Sequence, residues 1–157
     1  MTPPRPPELD DGTRRALAIG LYNRTMDLLQ VPDRTADQDD DLIHAAHASR
    51  HHWGEVGGQL NLARGEWLCS RVYATLGRSE PALWHARRCL ELLEGTAAAD
   101  RADWDLAAAY EAMARSLAAA GDEAGRDAWV GRARAALADV ADPDDRAVID
   151  QDLATIP

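Results

Sequence analysis

The chain has 157 residues and a formal net charge of −10, the length of one domain that can bury roughly two thirds of its unfolded-chain surface without disulfide staples. All 17 of its basic residues are Arg and none is Lys, which looks like the coding bias of a high-GC bacterial genome, and this excludes Schiff-base, phosphate-loop and general-base chemistry by lysine. The acidic balance opposes nucleic-acid partners, and no run approaches the ~20 apolar residues of a membrane span. With no signal peptide behind Met1, the expectation is a soluble, cytoplasmic protein.

In chain order, residues 1–8 read as a flexible Pro-rich start, and residues 9–157 as a single helical domain. A first helix is predicted over residues 9–30, with Leu17, Leu21, Met26, Leu28 and Leu29 supplying apolar positions, and Val31-Pro32 stops it. A second begins after the acidic run Asp37 to Asp41, whose carboxylates suit a helix N-terminus, and ends at Val56 before Gly57-Gly58. Four more follow: one to Leu76, then residues 79–94, 103–120 and 122–140. Ser79 before Glu80-Pro81 is a start signal, as is Asp142 before Pro143, which opens a closing helix through Leu153. Stretches with strand-like alternation are absent, so the fold class is all-α with about seven helices.

One segment of this series occurs twice, offset by 44 residues. Ser70 aligns with Ala114, Arg71 with Arg115, Tyr73 with Leu117, Gly77 with Gly121 and Cys89 with Ala133. Small residues fit where helices cross closely, and Gly ends a helix in the left-handed conformation. The pattern resembles the tetratricopeptide repeat, whose landmarks fall at Ser70, Tyr73, Gly77, Ala82 and Cys89 in the first copy. The second copy departs from it at Leu117 and Arg126, and the loop Glu94-Gly95-Thr96-Ala97-Ala98-Ala99-Asp100 lengthens the unit beyond the family's ~34 residues. The resemblance covers about half the chain and implies a right-handed stack of antiparallel helical hairpins. The same repeat positions predict a core of Cys69, Tyr73, Ala82, Cys89, Met113, Ala114, Leu117 and Ala133, with both cysteines reduced. No nucleophile with a base at recognisable spacing, Gly-rich phosphate loop or Cys-x-x-Cys is present.

Two constellations carry chemistry. His44, His47 and His51, three and four residues apart, share one helix face, and neutral imidazoles so placed chelate transition metals. With His52 beside them, and His85 and Cys89 four apart on another helix, they are the candidate metal ligands. A solvated histidine face is the structural alternative. The second constellation is the stripe that the repeat resemblance implies for a concave groove: Arg64, Trp67 and Arg71 in one unit, Glu111 and Arg115 in the next. Arginines beside an aromatic bind carboxylates by forked hydrogen bonds and stack on planar groups. Here the structural alternative pairs Arg71 and Arg115 with Glu66, Glu111 or Asp105.

Three functions are consistent with these residues. The leading one is a non-catalytic binding module holding an acidic peptide or small anionic ligand, with no cofactor. The second is a metal-binding protein or metal-dependent enzyme using His47, His52, His85, Cys89 and Glu111. The third is a self-associating helical scaffold, a homodimer through the N-terminal helix or exposed tryptophans.

Overall fold

Caps and turn glycines cut the chain into its helices. In the computed structural model, which describes Met1 and residues 6–157, there are seven α-helices, a single 3-10 turn at Ala98–Asp100 and no strand among the described residues. The Pro-rich reading of residues 2–5 lies outside the described residues. Helix α1 (Asp11–Leu29) is capped by Asp10, which accepts from the Thr13 amide. Helix α2 (Ala36–Val56) opens on a capping box, Thr35 and Gln38 each bonding the other's backbone N–H. It therefore starts ahead of the acidic run, which occupies its first turns, because the box satisfies two orphan amides at once.

Helix α3 (Gln59–Thr75) follows Gly57-Gly58, and α4 (Ser79–Glu94) begins at Ser79 with Arg78 in the cap position and no side-chain cap. After the 3-10 turn come α5 (Asp105–Ala119), α6 (Glu123–Leu137) capped by Asp122, and α7 (Pro143–Ala154) capped by Asp142 with Pro in its first turn.

The two turn glycines act alike. Gly77 has φ of 70° and Gly121 φ of 77°. At each, the residue after glycine donates to the carbonyl five back, Arg78 to Tyr73 at 2.8 Å and Asp122 to Leu117 at 3.0 Å. This is the Schellman ending, which satisfies the last carbonyls of a helix and reverses the chain.

Helices α1 and α2, α3 and α4, and α5 and α6 pack as hairpins; each helix up to α6 also touches the next, and α1, α3, α5 and α7 contact one another in a row. Small residues sit at the crossings. Ser49 donates to the Ala18 carbonyl at 2.7 Å between α1 and α2, and Ser70 donates to the Ala82 carbonyl at 2.9 Å between α3 and α4. Cys69, Ala82, Cys89, Met113, Ala114 and Ala133 are buried as the repeat spacing predicts. Tyr73 and Leu117 are only half-buried: both lie in the last turn of their helices, where cover from neighbours thins. Helix α1 differs too, because it packs through Ala18 and Thr25 while Leu17 is exposed.

Candidate functional site

The row of odd-numbered helices encloses a groove of about 600 Å³. Arg64, Trp67 and Arg71 come to it from α3 because their spacing of three and four residues keeps them on one face. Arg115 joins them from α5, Tyr22 from α1, Asp152 from α7, and Trp104 from the residue before α5. Four of the five residues predicted to touch a ligand therefore line one cavity, and Glu111 lies beneath them, 1% exposed.

Each arginine is held by an acid. Arg64 donates from Nε and Nη2 to the two oxygens of Asp105 at 3.0 and 3.1 Å, and its guanidinium lies 4.6 Å from the centre of the Trp104 ring. Arg71 donates to Glu111 at 3.0 Å and also to Asp152. Arg115 donates to Glu111 at 2.7 Å, to the Asp152 carbonyl at 2.7 Å and to Thr155 Oγ1 at 2.8 Å. Three arginines thus face Asp105, Glu111 and Asp152, and the charges of these six residues balance. Burial pushes the Glu111 carboxyl above the ordinary carboxylate value, against the pull of Arg71 and Arg115. Its Oε2 and the Trp67 Nε1 are buried without hydrogen-bond partners among the described residues.

The histidines divide. His44 and His51 are exposed on α2, and His52 sits against the His51 ring with centroids 5.5 Å apart. Between helices, His47 turns towards His85 on α4, with ring centroids 5.3 Å apart. The thiol beside them is Cys69 and not Cys89, and one ligand atom from each of His47, Cys69 and His85 lies within 4.8 Å of the others. Cys89 points to the opposite side, packing with Ala63, Leu92, Leu93 and Ala109 and lining the groove. The candidate set of His47, His52, His85, Cys89 and Glu111 is therefore not assembled in one place: α3 separates its members.

Around His47 and His85 the polar groups form a chain. His85 Nδ1 lies 2.6 Å from Glu66 Oε2, Arg50 donates to Glu66 Oε1 at 2.8 Å, and His47 Nε2 lies 2.9 Å from the Tyr73 hydroxyl. Tyr73 stacks on His85 with planes 8° apart. Burial alone would raise the Glu66 carboxyl, but the bonds and charges of His85 and Arg50 outweigh it and hold the group below the ordinary value. Burial lowers His47 and pushes both thiols up to about 12. Gly65 makes room for this chain: a Cβ there would lie 2.7 Å from Arg50 Cδ.

Sequence reasoning missed Asp152, Trp104 and Tyr22 in the groove and Cys69 beside the histidines. Glu66, Cys69 and Tyr73 are themselves three and four apart, a spacing that was open to reading as one helix face. No protein-family model, curated protein or solved structure matches this chain. No described helix is long and apolar enough to cross a membrane.

Proposed function

We propose that the chain is a non-catalytic binding module of tetratricopeptide type whose groove receives a small ligand with a flat body and one compact anionic group. The observation that carries this reading is the convergence of Arg64, Trp67, Arg71 and Arg115 with Trp104 on a single cavity of about 600 Å³, a volume typical of small-molecule sites. Each guanidinium is fixed by an acid yet has five N–H donors, more than the paired acid accepts. Such a site offers donors already oriented, which lowers the ordering cost of binding. Because the charges balance, an extended acidic peptide gains little from the groove. One carboxylate or phosphate beside the indole faces of Trp67 and Trp104 uses what is there.

The indole N–H resonances of the five tryptophans provide the test. Titration with 2-naphthoate or phenyl phosphate is expected to move the Trp67 and Trp104 signals in a saturable way, while benzamidine and hexaglutamate leave them in place. Arg64→Gln should weaken the naphthoate interaction at least tenfold, the equivalent of ~1.4 kcal/mol. Shifts confined to Trp84 or Trp129, or equal responses to naphthoate and benzamidine, would overturn the reading.

A further inference from the structure

A second site lies on the far side of α3, independent of the groove. We propose that His47, Cys69 and His85 form a binding site for a zinc-class divalent transition metal, held between α2, α3 and α4 and oriented by Glu66. Two nitrogens and a sulfur are the donor set that zinc takes with an open fourth position. Histidine rings bound to one tetrahedral ion at Zn–N distances of about 2.0–2.1 Å have their centres roughly 5 Å apart, and the His47 and His85 centroids are 5.3 Å apart with planes inclined at 63°. The ligand atoms already lie within 4.8 Å of one another. Tetrahedral ligand atoms sit roughly 3.5 Å apart, so closure asks for about an ångström of side-chain rotation.

The surrounding groups behave as supports. Glu66, 5% exposed, bonds Nδ1 of His85 at 2.6 Å, which makes Nδ1 the protonated nitrogen of the neutral ring and leaves the Nε2 lone pair for a cation. A carboxylate behind a metal-binding histidine is the usual way its tautomer and orientation are fixed. Arg50 secures the other oxygen of Glu66, and Tyr73 holds one nitrogen of His47 at 2.9 Å. Cys69 is 0% exposed. On binding, the thiol S–H gives its proton to solvent as the metal–sulfur bond forms, and no electron changes hands.

Cobalt(II) is the probe, added to the 157-residue chain after chelator treatment and removal of any histidine tag. The expected result is one cobalt per chain, with a thiolate-to-cobalt charge-transfer band in the near ultraviolet and tetrahedral d–d bands in the visible. Zinc should displace both and raise Tm. Cys69→Ser should abolish the charge-transfer band, and Cys89→Ser should leave it unchanged. His47→Gln and His85→Gln should each weaken cobalt binding at least tenfold, and Glu66→Gln by about 10–100-fold, while His44→Gln with His51→Gln has no effect. Should Cys69→Ser fail to fold, the His85→Gln and Cys89→Ser pair decides the matter alone. Binding without a charge-transfer band, a band lost with Cys89, or cobalt uptake that depends on His44 and His51 would overturn the site. None of these results bears on the naphthoate titration, which reads the opposite face of α3.

Discussion

Arg71 joins three helices through two acids: it leaves α3, meets Glu111 on α5 and reaches Asp152 on α7. Its side chain is 17% exposed and that of Glu111 only 2%, so the pair is shielded from water, unlike surface ion pairs. Breaking a buried pair costs ~3–5 kcal/mol, and because Glu111 keeps Arg115 when Arg71 is removed the loss here falls at the low end. Arg71→Ala is thus expected to lower Tm by roughly 10 °C, and Arg71→Ala with Glu111→Ala to recover part of the loss, as a calorimetric double-mutant cycle would read. Strict additivity of the two would show that the pair contributes nothing. A second residue-scale expectation concerns pH. Burial, with His51 and Arg14, holds His52 below its ordinary value. The unfolded chain therefore takes up this proton first as pH falls. Stability from His52 is complete above about pH 6.5 and is lost as pH drops through the folded value. Melting at about pH 7.5 and 5.5 should show a smaller decline for His52→Gln than for the parent chain; His47 adds its own share in the same direction. The pairing of Arg71 was legible in the sequence as far as Glu111, one of the three acids named for it. Asp152 was not, because 81 residues separate it from Arg71 and nothing local marks the contact.

Gly77 and Gly121 test the helical elements themselves. Apart from the glycine and its two chain neighbours, no atom of the described residues lies within 4 Å of where a Cβ would stand at either position, so alanine there meets no clash and pays only for the left-handed backbone, ~1–2 kcal/mol. Gly77→Ala and Gly121→Ala should accordingly cost the same to within ~0.5 kcal/mol in denaturant melts; a large difference would mean that the two turns are not equivalent. Gly65→Ala is the contrasting case, ordinary in backbone and crowded by Arg50. Ala114→Leu belongs with it: the site is 0% exposed, and the added volume should cost ~1–3 kcal/mol, lowering Tm. Helix starts carrying a side-chain signal were legible: Asp142 caps α7 and Asp122 caps α6. The start of α2 was misplaced although Thr35 and Gln38 spell a capping box, because the neighbouring carboxylates also suit a helix N-terminus and drew the boundary inward.

At the scale of the whole molecule, the row α1, α3, α5 and α7 depends on its last member. Ile149 and Leu153 of α7 are 6% and 4% exposed against Ala107, Ala133, Leu137 and Val140. Burying two such side chains is worth roughly 3–6 kcal/mol, and Asp152 comes with them. A chain ending at residue 142 should melt well below the 157-residue chain, and Trp104 should become more exposed to quenchers. An unchanged Tm would show that α7 is merely appended. The helical fold class was open to sequence reasoning because the apolar and small positions recur at helical spacing in nearly every segment. The grouping of His47, Cys69 and His85 was not, since it comes from three helices meeting and no two of these residues share one.

Both cysteines belong to the α3–α4 hairpin, yet they face opposite sides of α3, and they are 0% and 2% exposed. With thiols raised to about 12, neither offers appreciable thiolate to an alkylating reagent while the hairpin is shut, so in the metal-free chain reaction waits on transient opening. The protein thus carries two intrinsic clocks for its own breathing. If Cys69 and Cys89 are alkylated at one common rate, the hairpin opens as a unit. Separate rates would resolve the loosening of α2 from that of the groove side, without any label having been introduced.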